Sequence, residues 1–290
     1  MSKAYYLTLM LSFLQQKAHA QRPCLRILKE GDLYFIDVQG TLISDSDKSP
    51  IRGSIEFIQM LNDKKIPYMI ITNNTKKASS DFYDYLCSIG FNFNFSNYLD
   101  PLMLLESSVA KDTVAAYGAD EFLKTLVKMG YVLDYENPKT VLVAIKEDFS
   151  ADEYAQMIDF LLSGASLVGM HETSIYAKNS KRYPGVGAIL KMLEFATSCT
   201  YSVVGKPSEA FYNKSLKKLK EQNISANFSD ITMISDDVKG DLGGAKEMGM
   251  KTVFVTSGKY KTQDEIVPFL KEELRPDLVY GDMQEVMEKL

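Results

Sequence analysis

The sequence predicts an α/β fold in which a parallel-sheet domain is interrupted by a second, smaller domain. From Leu33 onward, short apolar runs alternate with segments of helical periodicity, as expected for βαβ units. Residues 109–203 have an alternation of their own, after which the first pattern resumes. With 290 residues, 46% of them hydrophobic, the chain can bury the cores of two domains.

The first block of this pattern contains two apolar strands. Leu33–Ile36 is typical of a strand that is buried on both faces of a parallel sheet. A polar loop follows, and periodicity then predicts a helix over about Gly53–Asn62. Ile66–Ile71 is the second apolar strand, and the helix after it should end at Gly90, because glycine favours helix termination.

The remaining elements follow from the same two patterns, short apolar runs for strands and helical periodicity for helices. In the middle block we expect strands over 114–117, 141–144 and 166–169 and a helix over 152–163. The core pattern resumes with strand Ser202–Val204, helix 209–220, strand 231–234, helix 242–248 and strand 252–255. We therefore predict a core domain from residues 31–108 and 204–290 and an inserted domain from residues 109–203.

Residues 1–30 are predicted to form an N-terminal extension with two interpretations. Lys3, the apolar stretch Ala4–Leu14 and the sequence Ala18-His19-Ala20 imitate a signal peptide. The stretch also fits an amphipathic helix before the first strand. We favour the helix, because a single lysine precedes the apolar run and polar residues soon end it.

Composition excludes several classes of function. A net charge of −5 and a pI near 5.3 argue against a nucleic-acid-binding protein, which needs a basic face. No stretch approaches the ~18 apolar residues of a membrane span. Cys24, Cys87 and Cys199 lack metal-ligand spacing and cannot all pair, so we expect a cytoplasmic protein in a reducing compartment.

Polar residues suited to phosphate or metal follow four of the apolar strands. The first strand ends in Asp37-Val38-Gln39-Gly40-Thr41 and the second in Thr72-Asn73. Lys206 and the acidic turn Asp236–Asp241 follow two later strands. Because ligands bind at the carboxyl ends of parallel strands, these residues should share one site.

Each of these residue types has a chemical reason to be there. A carboxylate such as Asp37 can act as a nucleophile and a metal ligand, and Asp236 and Asp241 can bind a hard cation. Hydroxyl, amide and ammonium groups can hold phosphate oxygens. Taken singly, each motif could be a helix cap, a loop or a solvated turn. All four in order, each after an apolar strand, favour a functional site.

In these motifs the chain resembles the haloacid dehalogenase (HAD) superfamily of phosphatases, within it the subclass IIA branch of NagD and 4-nitrophenylphosphatase-like enzymes. The resemblance implies a Rossmann-like core with a parallel sheet, interrupted by an α/β C2-type cap. It runs from about Leu33 to the C-terminus and rests on residues 37–41, 50–53, 71–74, 164–168, 183–189, 204–207, 236–245 and 256–260.

The resemblance implies a magnesium-dependent phosphatase that works through an aspartyl phosphate. Asp37 resembles the nucleophile. Asp37, the main-chain carbonyl of Gln39 and Asp236 resemble the Mg²⁺ ligands, and Asp241 resembles an acid that supports a metal-bound water. The implied partner is a small phosphorylated metabolite.

Further residues resemble the substrate contacts of this family. Thr72, Asn73 and Lys206 resemble the clamp on the transferring phosphoryl group, where negative charge develops. His171 and Glu172 lie where such caps reach the substrate, although a surface turn after a strand is an equal interpretation. Caps of this type often take part in dimer contacts, so a homodimer is an open expectation.

Gln39 departs from the family pattern, which has a second aspartate at this position. That acid protonates the leaving oxygen and then deprotonates the attacking water. An amide can donate a hydrogen bond but cannot transfer a proton at neutral pH. Losing general acid–base help typically costs ~10²–10⁴-fold in rate. We therefore expect slow turnover, or a preference for good leaving groups such as acyl and aryl phosphates.

Two alternatives stay open. The first is a pseudo-enzyme of the same fold that binds a phosphorylated ligand without turnover. The second is a different reaction, since superfamily members that cleave C–halogen or C–P bonds also lack the second acid. The complete subclass IIA pattern argues against this second alternative.

Overall fold

The computed structural model describes residues 33–178, 181–222 and 224–290. The expected N-terminal extension over residues 1–30 lies outside these ranges. Within them the chain forms two parallel sheets and a short hairpin, with helices between the strands. The α/β fold class with parallel sheets is therefore confirmed.

The first sheet has six parallel strands in the order β13-β12-β11-β1-β2-β3. Its strands are β1 (Leu33–Ile36), β2 (Tyr68–Ile71), β3 (Tyr98–Leu99), β11 (Ile231–Ser235), β12 (Lys251–Val255) and β13 (Leu278–Tyr280). β1 lies inside the sheet between β11 and β2, and Tyr34, Phe35 and Ile36 are fully buried. An apolar run without alternation is what such a position requires.

The second sheet has five parallel strands in the order β10-β7-β6-β4-β5. Its strands are β4 (Thr113–Tyr117), β5 (Val132–Leu133), β6 (Thr140–Val143), β7 (Ser166–Gly169) and β10 (Tyr201–Val203). Strands β8 (Ile175–Lys178) and β9 (Lys181–Pro184) form an antiparallel hairpin that pairs with neither sheet. All of these strands come from the segment predicted to be inserted, although its boundaries at residues 109 and 203 stay a prediction.

Helices connect the strands of both sheets. In the first they are α1 (Ser54–Asp63), α2 (Ser79–Ser88), α3 (Leu102–Ser108), α7 (Glu209–Lys220), α8 (Asp241–Glu247) and α9 (Met283–Met287); in the second they are α4 (Asp120–Lys128), α5 (Ala151–Leu162) and α6 (Val186–Thr197). Three start with side-chain caps: Ser150 and Glu153 form a reciprocal capping box on α5, Ser208 accepts from the Phe211 N–H on α7, and Asp282 accepts from the Glu285 N–H on α9.

The prediction that strand Ser202–Val204 belongs to the core sheet is wrong. β10 pairs with β7 in the second sheet, in register Tyr201 with Leu167. Its ladder continues beyond the strand, because the N–H groups of Val204 and Gly205 donate to main-chain oxygens of the β7 end. A three-residue strand at a sheet edge needs no long apolar run, so the sequence pattern did not separate the two sheets here.

The β8–β9 hairpin reaches from the second sheet to the first. Arg182 on β9 donates from Nε to the main-chain oxygen of Lys259 at 3.0 Å and also binds Glu265. Its guanidinium lies 5.3 Å from the centre of the Tyr260 ring, within cation–π range. These contacts hold the hairpin beside the loop that follows β12.

Among the described residues, none of the helices combines the length and the apolar character needed to cross a bilayer.

A buried acid, Asp100, joins the end of β3 to the start of α3. Its carboxylate accepts from Ser79 Oγ (2.9 Å), Tyr98 Oη (2.8 Å) and the Met103 N–H (3.2 Å). Burial raises the pKa of Asp100 to about 6, and the three hydrogen bonds counteract only part of this effect.

We predict that the stability of the protein relative to Asp100→Asn depends on pH. Because the pKa of Asp100 is higher in the folded state, folding favours the protonated acid. Wild type should therefore gain about 1 kcal/mol in its free energy of unfolding, relative to Asp100→Asn, as the pH falls from 7 to 5. Urea unfolding of both proteins at several pH values measures this difference. A difference that stays constant over this range would contradict the raised pKa.

Candidate active site

The candidate site lies at the carboxyl end of β1. The Asp37 N–H donates to Ile234 O on the neighbouring strand at 2.9 Å, which fixes the start of the turn. Gly40 has a φ of +80°, a value that favours glycine. A Cβ at Gly40 would lie 2.2 Å from Asp236 Oδ2, so only glycine allows this close approach. The Gly40 turn therefore brings β1 and the β11 turn together.

Lys206 is the central cation of the site, and its side chain is fully buried. Its Nζ donates to Asp37 Oδ1 at 2.5 Å, to Asp241 Oδ2 at 2.6 Å and to Ile71 O at 3.1 Å. Burial disfavours the ammonium, but Asp241 and Asp37 outweigh it and raise the pKa of Lys206. The lysine therefore stays charged and holds the nucleophile candidate in place.

Asp241 is held in turn by Ser235. Ser235 Oγ donates to Asp241 Oδ2 at 2.8 Å, and the Asp237 N–H donates to Ser235 Oγ at 3.0 Å. Burial raises the pKa of Asp241 to about 6, against the opposing charge of Lys206. Ser235 thus orients an acid of the site, a role that the sequence pattern did not indicate.

Asp236 is a buried carboxylate with one oxygen unsatisfied. Its N–H donates to Thr41 Oγ1 at 3.1 Å, and its Oδ2 accepts from the Lys259 N–H at 2.8 Å. Its Oδ1 has no hydrogen-bond partner among the described residues. Burial raises the pKa of Asp236 well above its ordinary value. A cation bound at the free oxygen would offset the cost of burying the ionised carboxylate.

The residues present fit a magnesium ion. Across the described ranges, no three His, Cys, Asp or Glu side chains are grouped so that they could hold a metal by themselves. Mg²⁺, however, usually keeps several waters and takes one or two carboxylates. Asp37 and Asp236, with the main-chain oxygen of Gln39, match that requirement, and the unsatisfied Asp236 oxygen supports it.

A second lysine, the largely buried Lys259, belongs to the site. Its Nζ pairs with Asp237 Oδ2 at 2.6 Å, and Asp237 Oδ1 also accepts from the Gly240 N–H at 3.0 Å. Burial alone would raise the pKa of Asp237, but Lys259 lowers it below its ordinary value. In the sequence, residues 256–260 contribute to the family resemblance, but the pattern indicates no role for Lys259. The basic residue after a Ser-Gly turn was the signal available.

The two residues of the second strand end lie at the site, and each has a protein partner. Thr72 Oγ1 accepts from the Asn74 N–H at 3.2 Å and donates to Gln39 Oε1 at 2.6 Å. The amide group of Gln39 is thereby oriented, with its NH₂ left free of Thr72. Asn73 accepts from the Lys206 N–H at 2.9 Å. The expected phosphate contacts of Thr72 and Asn73 stay a prediction.

A cavity of about 520 Å³ opens beside Asp37 and Gln39. His171 lines it, and Glu172 does not: the Glu172 carboxylate accepts from Tyr201 Oη. Burial, together with the charge of Lys259, lowers the pKa of His171 to about 3. The neutral ring accepts the Thr173 N–H at Nδ1 (3.4 Å), which leaves Nε2 as its donor.

The structure brings together most of the residues expected at the site. Asp37, Gln39, Asn73, Asp241 and His171 line one cavity. Lys206 and Asp236 lie directly behind it through the contacts described above. Of the two residues expected to reach the substrate from the inserted segment, only His171 faces the cavity.

Two family models match the chain. Residues 34–132 match the haloacid dehalogenase-like hydrolase model, and residues 203–286 match the HAD-hydrolase-like model, so that together they cover more than half of the chain. Haloacid dehalogenase-like hydrolase domain-containing protein 2 of Bos taurus is 26% identical over 87% of this chain and 96% of its own length. The acid sugar phosphatase of Staphylococcus saprophyticus is 25% identical over 91% of this chain and 99% of its own length.

Solved structures share the fold. The p-nitrophenyl phosphatase of Archaeoglobus fulgidus matches with a TM-score of 0.75 and 20% identity over 90% of this chain and 100% of that chain. NagD of E. coli K-12 matches with a TM-score of 0.68 and 21% identity over 89% of this chain and 98% of that chain. A glycerol phosphate phosphatase of Mycobacterium tuberculosis in complex with magnesium matches with a TM-score of 0.68 and 19% identity, over 89% of this chain and 76% of that chain. With the sheet order, the strand-end acids and the family matches in agreement, the chain belongs to the haloacid dehalogenase-like hydrolases and has the fold of their NagD and 4-nitrophenylphosphatase branch.

Proposed function

We propose that the protein is a magnesium-dependent phosphatase that acts through an aspartyl phosphate on Asp37. The observation that carries the proposal is the Asp37 carboxylate itself. It lines an open cavity and is fixed through one oxygen by a buried, charged lysine. A carboxylate held in this way can attack a phosphorus atom placed in the cavity.

The surrounding residues have separate tasks in this reaction. Lys206 supplies fixed positive charge beside the phosphoryl group, where charge develops in the transition state. The free NH₂ of Gln39 can donate to a phosphoryl or leaving-group oxygen, and Asp241 keeps Lys206 in position. When bound by Asp37, Asp236 and the Gln39 carbonyl, Mg²⁺ would neutralise phosphate charge during the transfer.

The rim of the cavity fits a small anionic metabolite. Lys48, Lys76, Lys77 and Lys178 line it, and Glu147 pairs with Lys178 and lies 3.7 Å from Lys76. Lys77 lies 4.8 Å from the centre of the Tyr85 ring, so an aromatic surface adjoins this charge. We place the reaction in the cytoplasm, since Cys87 and Cys199 are free thiols. A homodimer stays a prediction.

The first prediction concerns Asp37. Wild type should release 4-nitrophenol from 4-nitrophenyl phosphate when Mg²⁺ is present, and the release should cease with EDTA. Asp37→Asn should reduce it to background, because an amide of the same size is no nucleophile for phosphorus. The absorbance of 4-nitrophenolate measures the rate. Asp63→Asn, at the exposed end of α1, is the matched control and should keep full activity.

Activity that survives Asp37→Asn would contradict the proposal. A wild type that is silent on 4-nitrophenyl phosphate and on acetyl phosphate, yet is stabilised against heat by Mg²⁺ with a tetrahedral phosphate mimic, would support the pseudo-enzyme instead. Both substrates have leaving groups that need little protonation, so their hydrolysis tests Asp37 without depending on a proton donor.

The second prediction concerns Gln39. Because the Gln39 amide cannot transfer a proton, a proton for the leaving oxygen has to come from a group further from the nucleophile, and wild type should hydrolyse aryl and acyl phosphates faster than alkyl phosphates. Gln39→Asp should raise the rate on glycerol 3-phosphate by at least about tenfold, a part of the ~10²–10⁴-fold that general acid–base catalysis typically contributes. The rate on 4-nitrophenyl phosphate should change much less. Steady-state kinetics on both esters measure the ratio.

Gln39→Asn is the matched control for this experiment, since asparagine has the length of aspartate but no ionisable group. It should give no gain on either ester. Equal gains from Gln39→Asp and Gln39→Asn would show that size, not proton transfer, limits the wild-type enzyme.

A further inference from the structure

A half-buried acid, Asp45, lines the cavity together with Asp37 and Gln39. It lies in the loop between β1 and α1. No residue within the described ranges donates a hydrogen bond to its carboxylate or forms an ion pair with it; the Lys48 ammonium binds the main-chain oxygen of Asp45 instead, at 2.9 Å. A carboxylate without a protein partner in a catalytic cavity is free to meet a substrate or a water.

Asp47, two residues further along the same loop, also lines the cavity but differs from Asp45 in its hydrogen bonds. It is exposed, and its Oδ1 accepts from both the N–H (3.1 Å) and the Oγ (2.8 Å) of Ser49. These hydrogen bonds with Ser49 lower the pKa of Asp47. The loop therefore carries one acid that Ser49 satisfies and one that has no hydrogen-bond donor among the described residues.

The charges that face Asp45 come from four segments. They are Lys48 in its own loop, Lys259 and Lys261 after β12, Asp37 at the end of β1, and Asp236 at the end of β11. Burial raises the pKa of Asp45, and the charge of Asp37 raises it further, while the three lysines lower it. Both carboxylates line the same cavity.

We propose that Asp45 transfers the protons that Gln39 cannot transfer in the reaction at Asp37. This inference rests on the proposed phosphatase function. It assigns a catalytic role to a loop residue for which the sequence pattern indicated none, and it places the proton donor on the cavity wall rather than two residues after the nucleophile. Gln39 then acts as a hydrogen-bond donor beside it.

The two steps balance with a single proton on Asp45. In the first, an Asp37 oxygen bonds to phosphorus, the bond from phosphorus to the leaving oxygen breaks, and that oxygen takes the proton of Asp45. In the second, a water oxygen bonds to phosphorus and gives its proton to the Asp45 carboxylate. The bond to Asp37 then breaks, inorganic phosphate leaves, and both acids return to their starting forms.

The test compares Asp45→Asn with wild type on two esters. For glycerol 3-phosphate the first step needs the proton, so kcat/KM should fall at least about tenfold, within the range typical of general acid catalysis. For 4-nitrophenyl phosphate the first step needs none, so kcat/KM should stay within about threefold while kcat falls, because the second step loses its base. Phosphorylated Asp37 should then accumulate, visible as a burst of 4-nitrophenol and as a phosphorylated chain by mass spectrometry after acid quench.

Three further variants complete the experiment. Asp47→Asn is the matched loop control and should behave as wild type. Asp45→Glu keeps a carboxylate and should retain part of the activity on glycerol 3-phosphate. Gln39→Asp in the Asp45→Asn background restores an acid beside the nucleophile, and should recover kcat and remove the burst. A circular dichroism spectrum equal to that of wild type excludes misfolding as the cause.

The outcomes separate the two proposals. An active wild type with an Asp45→Asn variant that matches it on both esters, without a burst, would overturn the role of Asp45 and leave the phosphatase standing. A wild type that is silent on 4-nitrophenyl phosphate and acetyl phosphate would overturn the phosphatase, and the role of Asp45 with it.

Discussion

The arrangement of the site depends on one buried cation. Lys206 joins Asp37, Asp241 and the main-chain oxygen of Ile71, which belong to different parts of the first sheet. Removing three such groups from water is costly, and only good geometry with further hydrogen bonds offsets that cost. Ser235 supplies one of these bonds to Asp241. The ends of β1, β2 and α8 are therefore held in one relative position by an interaction that tolerates little displacement.

A close approach of main chains complements that interaction. Asp236 lies against Gly40 and Gly258, where a Cβ would come within 2.2 and 1.9 Å of its Oδ2. Ser257 Oγ donates to Gly40 O at 2.7 Å, which ties the loop after β12 to the turn after β1. Because Lys259 follows directly, the same contact sets its ammonium beside Asp237. Small residues and buried charges thus position the site together.

The sequence predicted the strand ends well, because parallel strands must bring their carboxyl ends to one edge and the apolar runs of β1 and β11 are unambiguous. It failed where periodicity carries no information. The β8–β9 hairpin is half-exposed and polar, and β10 is too short to reveal its sheet. The pairing of Lys259 with Asp237 and the place of Asp45 on the cavity wall depend on how distant segments pack, which spacing along the chain does not encode. Gln39 stands out in the sequence, but its hydrogen bond with Thr72 depends on how β1 and β2 pair in the sheet.

The charge balance of the site separates its acids into two groups. Asp37 and Asp241 share Lys206, and Asp237 pairs with Lys259, so these three are compensated by the protein. Asp236 and Asp45 have no such compensation among the described residues. Asp236 is buried against the main chain of Gly40 and Gly258, where a bound cation can satisfy its unpaired oxygen. Asp45 faces the cavity, where a proton can come and go with substrate and water. On the proposals made above, the enclosed acid Asp236 would bind a metal and the open acid Asp45 would transfer the protons that Gln39 cannot. This difference in surroundings, which the motif at residues 37–41 does not encode, is the reason for proposing two different tasks.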